Sequence, residues 1–327
     1  AYGSAGDDGV NWDIWLKIVG EPEARRLTTD PARETDPSWC PDGTQIAFRR
    51  LVSGSARIYL VSPLGGPARQ LSDFPARSRA SWSPDGRWLA TSKDRSGGDP
   101  PGGIHLISVA SGEPRALTSP KAPAFDVNPA FSPDGRALAY AACEGTEGNP
   151  VCDVSVLPLD SELRPRGAAR RLTRQRLWNW GAAWTRDGRS IVYSADGLWR
   201  VRADGSTPPE RVELVQGARP STAGGRDRLA FVRSDWEPDL YRLELGGSST
   251  LIIESAFSDF HPQSSPDGRR IAFQSGRAGG GGTDIWVCDA DGSNPTRLTR
   301  GPGRIQGWPG WSPDGRSIVF DSKAENG

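Results

Sequence analysis

Histidine is almost missing from this chain: of 327 residues, only His105 and His261 carry an imidazole. Together with the four cysteines, Cys40, Cys143, Cys152 and Cys288, they show no spacing that would hold a metal, and no cofactor is expected. Methionine is absent altogether. A chain lacking even an initiator is expected to be a processed or excised part of a longer protein. No apolar run exceeds a few residues, so no segment reads as a membrane-spanning helix, and Ala1-Tyr2-Gly3-Ser4 has neither the basic start nor the apolar centre of a secretion signal. Net charge is missing too. Lys+Arg 40 balance Asp+Glu 40 without a long run of one sign, which argues against a nucleic-acid-binding surface. Nowhere is a helical period sustained.

What the chain has in quantity is turns and repeats. Gly 40 and Pro 28 suit a protein that turns every few residues. One phrase, of the form Trp-Ser-Pro-Asp-Gly-x-x-Ile-Ala-Phe, places its aspartate at Asp42, Asp85, Asp134, Asp187, Asp267 and Asp314, with a worn copy around Gly225. A second phrase, Asp-Ile-Trp-Val, then a glycine turn and Arg-Leu-Thr, is centred on Ile14, Ile58, Ile104, Val154, Leu198, Leu240 and Ile285. Successive copies of the first lie between 38 residues (Asp187 to Gly225) and 53 residues (Asp134 to Asp187) apart, the range of propellers and solenoids.

Each phrase reads as a hairpin: proline presets one turn dihedral, glycine accepts a positive one, and Asp291-Gly292 is a turn pair between apolar runs. Two hairpins make a four-stranded unit that must stack on its copies to bury its faces. The chain begins with a second phrase and ends with a first. The expected fold is therefore all-β: a seven-bladed β-propeller over 1–327 as one domain, the last blade closed by C-terminal inner strands and N-terminal outer strands.

Cys143 and Cys152 bracket the turn joining two hairpins of one blade, where facing strand ends could bond as a disulfide; this would imply an oxidising compartment. Cys40 and Cys288 read as packing residues.

The phrases Trp82-Ser83-Pro84-Asp85-Gly86, Phe131-Ser132-Pro133-Asp134-Gly135 and Asp284-Ile285-Trp286-Val287 resemble the WD40-like repeats of TolB-type β-propellers. That resemblance implies the propeller fold and a spread of roles: periplasmic scaffolds, propellers of prolyl-oligopeptidase-type peptidases, and sensor domains of bacterial membrane regulators or Ser/Thr kinases, to which the wording is most similar.

Where the copies agree they mark scaffold: Trp39, Trp82, Trp184 and Trp311 share one position with Phe131. The aspartates of the Pro-Asp-Gly turns are expected to bond their own backbone, because six copies cannot form one active site. Divergence concentrates six residues before that aspartate, at Asp36, Arg79, Asn128, Gly181, Arg219, His261 and Trp308. These, with Arg33, Arg77, Phe125, Asp126, Trp178, Asn179, Trp180, Trp236, Phe260 and Arg304 from neighbouring loops, are expected to rim one mouth of the channel. Tryptophan among arginines has the composition of a recognition surface, although the same rings could fold back and plug the channel.

The expected function is a non-catalytic binding or sensor propeller, a monomer in the periplasm or outside the cell, recognising a protein, peptide or glycan. Two enzyme readings stand as alternatives. One is a lyase or hydrolase with its site in the channel. The other is the regulatory propeller of a prolyl-oligopeptidase-like peptidase, whose catalytic domain would lie elsewhere because no Gly-x-Ser-x-Gly elbow occurs here.

Overall fold

The glycine turns between apolar runs close antiparallel hairpins, and no helix occurs among the described residues. The computed structural model describes residues 12–324 except 22, 95–101, 146–149, 176–181, 196, 214–216, 223–227, 234–238, 245–248, 254–256, 279–281 and 302. Strands β1 (Trp12–Ile18) and β2 (Ala24–Arg26) wait for partners from the far end of the chain. The strands that follow pair in sequence order, four to a sheet. These are β3 (Glu34–Trp39), β4 (Ile46–Val52), β5 (Ser55–Val61) and β6 (Arg69–Gln70), then β7 (Ser81–Trp82), β8 (Trp88–Ser92), β9 (Ile104–Ser108) and β10 (Pro114–Ala116). Next come β11 (Phe125–Phe131), β12 (Ala137–Glu144), β13 (Val151–Pro158) and β14 (Arg170–Arg171), and β15 (Ala182–Trp184), β16 (Ser190–Ser194), β17 (Leu198–Arg202) and β18 (Glu210–Glu213). Then follow β19 (Gly217–Thr222), β20 (Arg228–Arg233), β21 (Asp239–Glu244) and β22 (Ser249–Ile253), and β23 (Asp259–Ser264), β24 (Arg270–Ser275), β25 (Asp284–Asp289) and β26 (Thr296–Arg297). Finally β27 (Gly303–Trp311) and β28 (Ser317–Ala324) meet the first two strands in the order β2-β1-β28-β27. Along that seam Trp12 pairs with Lys323 and Ile18 with Ser317. This is a β-propeller in which one sheet joins both ends of the chain.

The repeated phrases have identifiable physical work. In the Pro-Asp-Gly turn, Ser83 Oγ donates to Asp85 Oδ1 at 2.6 Å, the Arg87 amide donates to the same oxygen at 3.1 Å, and the Trp88 amide donates to Ser83 Oγ at 3.0 Å. The pattern recurs at Asp134, Asp187, Asp267 and Asp314. There the neighbouring hydroxyl and amide hold each carboxyl below the usual carboxylate range. Gly86, with φ 69°, supplies the left-handed residue that ends the turn.

In the second phrase the threonine of Arg-Leu-Thr accepts the amide of the strand beside it: Ile14 to Thr28 at 2.9 Å, Ile104 to Thr118 at 2.8 Å, Val154 to Thr173 at 3.0 Å and Ile285 to Thr299 at 2.9 Å. The arginine pairs with the buried aspartate that opens the phrase, Arg26 with Asp13 at 2.6 Å and Arg297 with Asp284 at 2.7 Å. Arg171 and Asp153 pair likewise.

The shared tryptophan stitches sheet to sheet. Its indole N–H donates to a carbonyl on the first strand of the preceding sheet: Trp39 to Gly310 (3.2 Å), Trp82 to Ser38 (3.2 Å), Trp184 to Ala130 (2.9 Å) and Trp311 to Gln263 (2.9 Å). A large buried ring that also satisfies its polar edge is well placed to fix the angle between sheets. First strands touch in succession, β7 with β11, β11 with β15, β15 with β19, β19 with β23, β23 with β27 and β27 with β3. Trp82 and Arg79 link β3 to β7.

Candidate functional site

The divergent repeat position is strained. Asp36, Asn128, His261 and Trp308 have φ of 58°, 54°, 52° and 50°, a region rarely occupied by bulky side chains. Each precedes a proline, and in each first strand the register slips at that point, between Thr35 and Ser38, Val127 and Ala130, Phe260 and Gln263, and Gly307 and Gly310. The slip is a bulge: two residues stand opposite one on the partner strand (Phe48, Tyr140, Phe273 or Phe320), and the left-handed one breaks the strand's regular alternation. Bulges of this kind re-aim side chains, and backbone strain clusters at functional sites.

Around these positions charge and polarity are unevenly distributed. Asp36 accepts Arg49 Nε at 2.8 Å and is paired with the same guanidinium at 2.5 Å. Arg79 donates to the Pro37 carbonyl at 3.1 Å. Asp321, on β28, is wholly buried, and neither of its carboxyl oxygens has a side-chain partner. Burial, and then the charge of Asp36, push its pKa up to about 8; the Asp36 amide turned toward it and the guanidiniums of Arg33 and Arg79 oppose that rise.

On the adjoining sheet, His261 stacks on Trp308 with ring centroids 3.9 Å apart. A directional chain sets its tautomer. Thr283 Oγ1 donates to the Gln306 carbonyl (2.9 Å) and so accepts from Gln274 Nε2 (3.0 Å). Gln274 Oε1 is left as acceptor for His261 Nδ1 at 2.8 Å, which places the ring proton on Nδ1.

Two residues before the divergent position lies a layer of buried acceptors. Glu34 takes Thr28 and Arg50, whose guanidinium lies 2.6 Å away, and burial lifts its pKa to about 7 against those two partners. Asp126 is lifted by burial to about 6, opposed by its hydrogen bond with Thr118. Gln306 takes Thr299. Asp126 thus belongs to a layer that ends the Arg-Leu-Thr threonines rather than to an exposed loop.

Of the other residues expected at the rim, Phe260 lies on β23, half-buried, its ring 6.1 Å from that of His261. Arg33 covers Trp12 at 5.1 Å and Arg77 covers the buried Phe125 at 4.9 Å. Arg219 falls on β19 and Arg304 on β27. Trp178, Asn179, Trp180, Gly181 and Trp236 lie outside the described residues. Sequence reasoning missed Arg49, Gln274 and Asp321. All three directly follow the aromatic of the Ile-Ala-Phe strand, a column that reads Arg49, Ser92, Ala141, Ser194, Val232, Gln274 and Asp321 and varies as widely as the rim itself. Cys143 and Cys152 face each other across β12 and β13 and are joined as a disulfide with S–S 2.05 Å. Among the described residues no group of three His, Cys, Asp or Glu side chains gathers as a metal site.

Residues 4–156 match the family model for the TolB β-propeller domain, so the resemblance carried by the repeats holds over that span. Beyond the fold, the chain is similar to the Bacillus subtilis protein named peptidase YuxL, itself uncharacterised, at 34% identity over 41% of this chain and 26% of that one. It is also similar to a Streptomyces coelicolor protein named as a tricorn protease homolog, at 30% identity over 88% of this chain and 21% of that one. The chain thus spans about a quarter or less of both relatives. Among solved structures, an oligogalacturonate lyase in complex with manganese superposes with a TM-score of 0.71 at 14% identity, covering 97% of each chain; it is a likeness of fold. The expectation that the chain is not an enzyme is corrected by these relatives, which carry the names of peptidases.

Proposed function

We propose that the chain is the propeller of a peptidase-class enzyme and that the strained, polar side of its channel mouth receives peptide. We read its four-stranded sheets as seven blades of one closed ring, occupying the whole chain. The observation that carries the reading is the coincidence of strain and polarity. Asp36, His261 and Trp308 hold left-handed backbone at one repeat position, and the charged or amide side chains of Arg49, Gln274, Arg79 and Asp321 surround them. Strained positions persist only where their surroundings over-determine them. A mixed set of donors, acceptors and a stacked indole suits a peptide backbone and its side chains. The relatives named as peptidases support the same class. Arg219 and Arg304 are assigned to the rim by their place in the repeat.

The lyase reading draws on likeness of fold, and no cluster of metal-binding side chains among the described residues favours it. The Cys143–Cys152 bond supports a place in the periplasm or outside the cell. Calorimetric titration with unblocked short peptides and with an oligogalacturonate separates the two classes. Peptide binding that weakens in Trp308→Ala, with no heat from the sugar acid, is the expected result; the converse overturns the peptidase reading.

A further inference from the structure

At the seam between the sheet β2-β1-β28-β27 and the sheet β3–β6, a groove opens at the end of the strands away from the rim. β27 runs from the rim at Trp308 to the Pro-Asp-Gly turn at Asp314, and beside that turn the groove has a volume of about 570 Å³. Leu16 and Ile18 of β1, Trp39 of β3, and Pro63 and Leu64 of the β5–β6 turn make its apolar wall. Ile18 is 49% exposed and Leu64 85%. The scaffold asks for neither. At the repeat position of Ile18 the other copies carry Ser62, Ser108, Pro158, Arg202, Glu244 and Asp289, and at that of Leu64 they carry Gly20, Ala110, Asp160, Asp204, Gly246 and Asp291. Two aliphatic side chains thus line one groove at positions that are small, polar or proline elsewhere, the kind of exposed apolar patch that marks an interaction site. The wall is held in place as well. Arg25 donates to the carbonyls of Leu64 (3.0 Å) and Pro63, a tether between sheets that recurs from Arg115 to Glu162 (2.9 Å) and Leu163 (3.1 Å).

The seam between β7–β10 and β11–β14 shows what fills such a groove. There Trp88 packs with Leu159 and Leu163 of the β13–β14 turn, and the two leucines are buried. At the open seam Ser317 stands in place of Trp88 and Pro63 in place of Leu159, and the shorter β5–β6 turn leaves its leucine in solvent. The segment that fills the closed seam reads Leu163-Arg164-Pro165-Arg166, and Arg166 walls the same hollow as Asp85 and Asp134. The open groove has the matching carboxylates, Asp314 and Asp42, and adds Glu23; all three are exposed. Asp42 and Asp314 each accept their turn hydrogen bonds on Oδ1, which leaves Oδ2 facing outward bonds. Of the described residues in the wall only Arg25 is cationic, and the two carbonyls engage it. Residues 1–11 hold Asp7 and Asp8 but neither Lys nor Arg, so their charge does not complement the groove.

We propose that this groove docks an extended segment of a partner protein in which an aliphatic or aromatic side chain stands beside Lys or Arg. The apolar side chain lies between Ile18 and Leu64, and the cation meets Glu23, Asp42 and Asp314.

The test is selection of a displayed random heptapeptide library on the protein, followed by titration of the synthesised winners against variants. Ile18→Ser and Leu64→Ala install residues that Ser62, Ser108 and Ala110 already supply in other repeats, so the melting temperature should hold. Peptides with an apolar residue next to Lys or Arg should be enriched. Their binding should weaken about tenfold or more in Ile18→Ser and in Leu64→Ala, about threefold in Glu23→Gln, and progressively with added salt. Absence of enrichment, winners without a basic residue, or winners that bind both apolar variants as tightly as the parent overturns the proposal. Winners that depend on Trp308 and not on Leu64 belong to the rim; they overturn the groove while leaving the peptide reading intact. A dimer seen by light scattering that Leu64→Ala dissociates gives the groove to a second copy of this chain and likewise overturns it.

Discussion

The two sides of the propeller's ring share one scaffold and differ in what stands behind the bulges. On the side built from β3–β6, β23–β26 and β27–β28, the column after the strand aromatic carries Arg49, Gln274 and Asp321, each close to a neighbouring bulge. On the opposite side the same column carries Ala141, Ser194 and Val232. The tryptophan stitches, the Pro-Asp-Gly turns and the Arg-Leu-Thr threonines run through both sides. Scaffold and proposed site are therefore written in different columns of one repeat, so that the proposed site could vary without disturbing the packing of the other side.

The largest effect should fall on both sides alike. Trp311→Ala on the loaded side and Trp184→Ala on the quiet side each remove a buried ring and an inter-sheet hydrogen bond. Each should cost about 3–5 kcal/mol in denaturant unfolding, whereas Trp308→Ala should cost about 1 kcal/mol or less. Unequal scaffold costs, or a large cost at Trp308, would break the comparison.

Next in size is a stabilisation confined to the loaded side. The folded Asp321 holds its proton up to about pH 8, against an ordinary value of 3.8 when unfolded. Its contribution is therefore most favourable below about pH 4 and is progressively lost as pH rises toward 8. Asp321→Asn should leave stability at pH 4 little changed and raise it by several kcal/mol at pH 8; a gain independent of pH would sink this account of the residue. Cys143→Ser with Cys152→Ser opens a link of sequence separation 9 on the quiet side and should cost roughly 2.5 kcal/mol, read as a drop in Tm. Asp134→Ala removes two turn hydrogen bonds and should cost about 1 kcal/mol by the same measurement.

The period of the repeat made the hairpins, their turns and the pairing of chain ends legible, because turn chemistry and apolar alternation are local. The Pro-Asp-Gly aspartates and the shared tryptophans were read correctly for the same reason. The divergent column was visible at Asp36, His261 and Trp308, but its left-handed backbone was not. Bulge geometry depends on the partner strand, although the proline that follows Asp36, Asn128, His261 and Trp308 is a clue in plain sight. Asp126 was misjudged as a loop residue because its place on β11 and its hydrogen bond with Thr118, eight positions earlier and just beyond β10, are made by the fold. Asp321 went unnoticed because nothing local distinguishes it from Ser194 or Ala141; its significance comes from Asp36 and Gly307, which the fold brings beside it. The proposed function draws on the relatives rather than on a motif in the sequence.

The claim that function is loaded on one side is tested most directly by amide hydrogen exchange with and without saturating unblocked tripeptide. The account predicts slowed exchange at the starts of β3, β23 and β27 and in β28 around Asp321, with β11–β18 unchanged. Protection spread evenly around the ring, or centred on β11–β18, would contradict it.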